Sequence, residues 1–114
     1  MLKRAKDMLK DIKEQVRGGK GSVEMTQLFK NDETYTKKIK FLARVVLNPG
    51  CSIGLHPHDV DEEFYYILKG KALFNDNGEL KELLPGDATV TGGGTTHSLE
   101  NIGDEPLEFM AIVA

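Results

Sequence analysis

The sequence has no tryptophan, a single cysteine, and no apolar run near the roughly 18 residues that cross a bilayer. Its N-terminus lacks the uninterrupted apolar core of a secretory signal, so a cytoplasmic protein is expected, with no membrane partner. The lone thiol, Cys51, cannot close an internal disulfide, and no second cysteine stands beside it to form a redox or zinc-binding pair. Cys51 therefore reads as a small turn residue. A positive body is also missing: residues 1 to 20 hold seven Lys or Arg against three Asp or Glu, and the remainder holds eight against fifteen. A basic tail on an acidic body, without a basic stripe interleaved with aromatics, repels phosphate rather than binding it, so no nucleic-acid partner is expected. What is present is ordinary for a globular chain. Apolar residues make up 39% and charged residues 29%, and 114 residues suffice for one hydrophobic core but not two.

Along the chain, Leu2, Ala5, Leu9, Ile12 and Val16 follow an i, i+3, i+4 rhythm that predicts an amphipathic helix ending at Gly18 and Gly19; a loosely attached arm is the rival reading. From Ser22 the pattern changes to alternation, with Val23, Met25 and Phe29 on one parity. A second strand is expected from Lys38 to Leu47, closed by Asn48, Pro49 and Gly50, where proline sets φ and glycine accepts φ > 0. Further strands are expected at 63–69, 71–75, 79–84, 88–91, 97–102 and 107–113, each bounded by glycine, proline, asparagine or aspartate. Asn77 followed by Gly78 is the strongest hairpin signal among these boundaries. About eight strands without intervening helices mean an antiparallel sandwich or barrel. The strand from Glu63 to Lys69 is apolar on both parities, so it needs cover on both faces, and a second copy of the chain is the expected cover.

The chemistry lies between Gly50 and Gly70. If residues 53–59 are extended, His56 and His58 project from one face about 7 Å apart at Cα, which is chelate spacing. Glu63 opens the next strand and is able to point at the same interior, and His97 opens another strand after a glycine triplet. Three neutral imidazoles and a carboxylate suit one divalent first-row ion: manganese, iron, cobalt, nickel, copper or zinc. Such a set leaves positions open for a ligand, unlike the closed, thiolate-rich sites of structural zinc.

These residues carry a resemblance. Gly50, five residues, His56, Pro57, His58, four residues, Glu63, six residues and Gly70 match the first motif of the cupin superfamily at every fixed position. Gly86, Gly94, His97 and Asn101 match the second at the correct intervals, with Gly92 where proline is usual. The chain is thus identified as resembling a small single-domain microbial cupin, similar to the oxalate decarboxylase and germin-like metal-binding members. The resemblance implies an all-β double-stranded β-helix, or jelly-roll barrel, over residues 21–114, preceded by an arm or short helix over 1–20. It also implies that His56, His58, Glu63 and His97 are the metal ligands. Glu62 is the competing carboxylate, but the interval to Gly70 favours Glu63. The triple glycine leaves His97 the least securely placed ligand.

Parity puts Tyr65 and Ile67 on the face of Glu63 and Leu99 on that of His97, while Phe41, Ala43 and Val45, like Phe109 and Ala111, share a face of their own strands. The pocket is therefore expected to be mostly apolar, with Tyr65 the candidate catalytic group because its hydroxyl could orient a ligand. A metal-dependent decarboxylase, dioxygenase or isomerase acting on a small organic acid, polyol, sugar or catechol-like compound is one expected function. A metal-dependent binding or storage module is the alternative. A purely structural cupin is disfavoured by the four intact ligand positions.

Overall fold

Side chains alternate across a strand, so the apolar parity of each strand decides which face turns inward. The computed structural model describes all 114 residues and contains ten strands. They are β1 (Leu9–Glu14), β2 (Ser22–Gln27), β3 (Phe41–Leu47), β4 (Ser52–Pro57), β5 (Glu63–Lys69), β6 (Ala72–Asp76), β7 (Glu79–Leu83), β8 (Ala88–Thr91), β9 (Thr96–Asn101) and β10 (Leu107–Val113). The only helical segments are three single 3-10 turns, Ala5–Asp7, Val16–Gly18 and Asn31–Glu33, and no helix is long and apolar enough to cross a membrane. One sheet has the order β1-β2-β3-β10-β5-β8 and the other β4-β9-β6-β7, and every pairing is antiparallel. The two sheets face each other as a jelly roll without closing into a continuous barrel.

Between them lie the inward parities predicted from the sequence. Ala43, Val45 and Leu47 of β3, Tyr65 and Ile67 of β5, Leu99 of β9, and Leu107, Phe109 and Ala111 of β10 are all buried. Full burial of one large apolar side chain contributes about 1.5–3 kcal/mol, so this layer supplies most of the driving force. The β6–β7 hairpin turns at Asn77 and Gly78 with φ of 51° and 98°, the doubly positive turn whose twist matches the flanking strands.

The helix expected over Leu2–Val16 is not formed. Leu9 to Glu14 instead pairs as an edge strand with β2, from Leu9 opposite Gln27 to Glu14 opposite Ser22, and every one of its residues is exposed. Main-chain hydrogen bonds hold this strand, not an apolar face, so side-chain periodicity carries no record of it. The strand expected from Lys38 starts at Phe41, because Asn31 Nδ2 donates to the carbonyls of Lys37 and Ile39 and holds the preceding loop together.

Asn101, the last position of the second motif, proves to be an internal clamp. Its Nδ2 donates to the carbonyls of Leu47 (2.9 Å) and Glu105 (2.8 Å), and its Oδ1 accepts from Gly103 N (2.9 Å). This one buried amide joins the end of β3 to the β9–β10 turn. Asn101→Ala strands these backbone groups, and a loss of about 2–3 kcal/mol is expected in urea denaturation, with metal content unchanged.

Candidate metal centre

Two devices aim the histidines. In the β4–β9 ladder Ile53 pairs with Leu99 and His56 with His97, so β4 spends one more residue than β9 between the same two rungs. That bulge, at Gly54 and Leu55, reverses the parity. Ile53 and His56, three apart, both face inward, and His56 stands directly across from His97. His58 follows just past the end of β4, where two hydrogen bonds tie it to the glycine turn before β9: His58 N to Thr95 O (3.1 Å) and Gly94 N to His58 O (2.8 Å). Glu63 comes from the opposite sheet, at the start of β5.

The four side chains converge in the interior. His56, His58, Glu63 and His97 are all buried, and one ligand atom from each lies within 4.8 Å of the others. His97 Nε2 lies 3.0 Å from His56 Nε2 and 3.2 Å from His58 Nε2, and Glu63 Oε1 lies 3.1 Å from both His58 Nε2 and His97 Nε2. His56 Nε2 is 4.0 Å from Glu63 Oε1.

The outer nitrogens fix the tautomers. His56 Nδ1–H donates to the Gly54 carbonyl and His58 Nδ1–H to Asp61 Oδ1, each at 2.7 Å, so both Nε2 atoms present lone pairs inward. His97 Nδ1 is buried without a partner, and its ring is held by stacking on Tyr65, with centroids 5.0 Å apart and planes 12° apart. His97, which follows the triple glycine, is fully buried. At most one proton is available among three facing nitrogens and a carboxylate oxygen, so contacts between acceptors remain uncompensated unless a cation lies among them. Separations of 3.0–3.2 Å are those of neighbouring donors around an ion bonded at about 2.1 Å, so the residues present fit a metal.

The sequence profile described as "Cupin domain" matches residues 43–113. The chain is a cupin. It is 41% identical over 113 residues to the oxalate-binding protein of Thermotoga maritima, covering 99% of this chain and 93% of the relative. A crystal structure of a predicted oxalate decarboxylase from Thermotoga maritima superposes with a TM-score of 0.92 at 40% identity, covering 99% of this chain and 97% of that one. The oxalate decarboxylase OxdC of Bacillus subtilis is 33% identical over 100 residues, but this cupin spans only 25% of its length.

The two neighbouring carboxylates occupy different places. Glu63 is in the cluster, whereas Glu62 is exposed and contributes its backbone to a two-way pairing with Ala114. The cluster opens into a cavity of about 280 Å³ whose wall is largely apolar, including Phe41, Val45 and Phe109. Tyr65 lines it too, but burial, reinforced by the Glu63 charge, raises its phenol well above the ordinary value. Tyr65 is thus a hydrogen-bond donor at neutral pH and not a base.

Sequence reasoning missed three polar residues of the wall: Arg17, Lys40 and Asp61. Asp61 stands three residues after His58 in a loop, a position from which a carboxylate reaches back to an imidazole, and that spacing was its one available signal. The His58 hydrogen bond is the main cause that holds Asp61 below the usual carboxylate range.

Burial is the main cause that lowers His56 below its ordinary value of 6.5. The unfolded chain therefore takes up this proton more readily than the folded one, and the contribution to stability is complete above about 6.5 and lost as pH falls toward the lowered value. For Tyr65 the sign reverses, because the folded chain keeps a proton that the unfolded chain releases above about 10. The metal-free protein should therefore lose thermal stability on both sides of a plateau, from about pH 6.5 downward and from about pH 10 upward. Melting temperatures across pH in the presence of a chelator check this, and His56→Gln should flatten the acid limb.

Proposed function

We propose that this cupin is a metal-dependent binding protein for a small oxygenated dianion, with oxalate as the first ligand. One divalent first-row ion, from the series manganese, iron, cobalt, nickel, copper and zinc, is held by His56, His58, Glu63 and His97. The observation that carries the reading is the likeness to an oxalate-binding protein over 99% of the chain, joined to a buried three-histidine, one-carboxylate set that faces a cavity. When bound, the ion would supply Lewis acidity and open positions for two oxygens of a chelating ligand. The side chains do the remainder: Gly54 O and Asp61 orient the imidazoles, the apolar wall excludes water, and Tyr65 holds His97 in place by stacking.

Turnover is the second reading, favoured by the likeness to OxdC, and would make the chain a decarboxylase or a related dioxygenase or isomerase. Such chemistry needs a group that moves a proton at the ligand. Glu63 belongs to the donor set, Asp61 is bonded to His58 and lies 3.6 Å from Lys40 Nζ, and Tyr65, whose phenol pKa burial raises, offers a proton donor but no base. Binding without turnover therefore suits this pocket better.

Elemental analysis and calorimetry test both readings. Wild-type protein should carry about one ion per chain, and His56→Ala, His58→Ala should lose it. Oxalate binding should vanish on chelation and return with added manganese, while carbon dioxide and formate stay at background. Equal metal content in wild type and variant would refute the site, and steady formate release would establish turnover.

The same reading includes a homodimer. The outer face of β5 leaves Phe64, Tyr66 and Leu68 exposed at 39%, 49% and 42%, with Val90 of the neighbouring β8 beside them. A second copy is the occupant of this face. Sedimentation should give a dimer for wild type and a folded monomer for Tyr66→Glu, which places a charge in the centre of the apolar patch.

A further inference from the structure

The N-terminal segment does more than extend a sheet. After β1 the chain makes a hook in which Gln15 and Arg17 both adopt left-handed backbone, with φ of 48° and 55°. Side chains other than glycine avoid this region, and its use twice within three residues signals a conformation imposed by the surroundings. The surroundings are visible. Hydrogen bonds run from Gly18 N to Gln15 O (3.0 Å), Gly19 N to Val16 O (3.0 Å), Gln15 N to Gly21 O (2.9 Å) and Ser52 N to Lys20 O (2.8 Å). The hook lies flat on the bulge of β4, so close that a Cβ added at Gly54 would collide with the Arg17 carbonyl oxygen, and one at Gly19 with Ser52 O. The effect is to fix Arg17 over the strand that carries His56.

Arg17 lines the mouth of the metal-site cavity. It forms neither a side-chain hydrogen bond nor an ion pair within the chain, whereas Lys40, the other cation of the wall, lies beside Asp61. The charge balance shows what it serves. A divalent ion and Glu63 leave one net positive charge, Asp61 and Lys40 cancel, and a dianion then leaves one negative charge facing the mouth. A guanidinium supplies the balancing positive charge in a fork matched to two carboxylate oxygens.

We propose that Arg17 is the residue that selects a carboxylate ligand, binding the outward oxygens of a small dicarboxylate chelated between His56, His58, Glu63 and His97. This rests on the metal-chelating function above and names the ligand class, because a neutral or phenolic chelator offers the hook nothing to bind.

The test uses full-length manganese-loaded protein as wild type, Arg17→Gln and Arg17→Lys, with metal content measured for each. Oxalate binding is followed by calorimetry and 4-nitrocatechol, which chelates without an outward carboxylate, by absorbance. Arg17→Gln should weaken oxalate roughly tenfold or more, Arg17→Lys should recover part of that loss, and 4-nitrocatechol should change by less than about twofold in both. Oxalate affinity within about twofold of wild type in Arg17→Gln overturns the assignment. So does an equal loss for both ligands or a fall in manganese content, either of which would make the hook a structural support. Failure of loaded wild type to bind oxalate overturns the binding function itself, and this assignment with it.

Discussion

Hydrogen-bond acceptors about 3 Å apart, shut away from water, repel one another unless something positive lies among them, and this fold brings four together. Two strands of the small sheet deliver His56 and His97, the loop after β4 delivers His58, and β5 of the large sheet delivers Glu63. No single element could assemble the group. The elements around it serve to hold it in place: Gly54 O and Asp61 pin two imidazoles, Tyr65 backs the third, and the turn at Gly92–Gly94 is tied to the His58 backbone. An apolar layer of Val45, Leu99, Phe109 and their neighbours surrounds the set and keeps the local dielectric low, which strengthens whatever attraction a cation finds there.

The bulge in β4 is where fold and site meet. An uninterrupted strand would put Ile53 and His56 on opposite faces, giving up either the core contact or the histidine. One extra residue admits both, and the carbonyl exposed by the irregularity, that of Gly54, becomes the hydrogen-bond acceptor that fixes the His56 tautomer. The same glycine leaves room for the hook of residues 15–19 to lie against the strand. A side chain at position 54 would thus disturb strand packing, imidazole orientation and the N-terminal hook together.

The parts of this arrangement that could be read from the sequence are those encoded in short spacings. The inward parity of β3, β5, β9 and β10 shows in alternating residues, and the Asn77–Gly78 turn shows in two, so an antiparallel sandwich or barrel was readable from them, and the family resemblance narrowed it to a jelly roll. The donor set was readable because the intervals around His56, His58, Glu63 and His97 are themselves the family pattern. What escaped was whatever depends on a distant partner. The bulge is defined only by register against β9, and β1 exists through its main-chain pairing with β2. Leu9 and Ile12 lie on opposite parities of β1, so a helical rhythm was the stronger signal there. Arg17 is separated from His56 by most of three strands, and no local pattern connects them.

A donor set shared between two sheets also changes what metal binding means for this molecule. Only the folded chain holds Glu63 beside His56, His58 and His97, since the unfolded chain would offer at best the nearby pair His56 and His58. Binding energy in excess of that pair's would therefore become folding energy, and an ion held there would act as a cross-link between the sheets. The sandwich does not depend on this link for its driving force, because the buried apolar layer extends well beyond the site through Val23, Leu47, Leu83 and Leu107. The consequence is a division of labour. The hydrophobic layer makes the fold, and an ion would draw together the one corner where four hydrogen-bond acceptors from β4, β5, β9 and the loop after β4 meet. His56, His58 and Glu63 of that corner also line the cavity, so any local order gained on metal binding would be gained where a chelating ligand would sit.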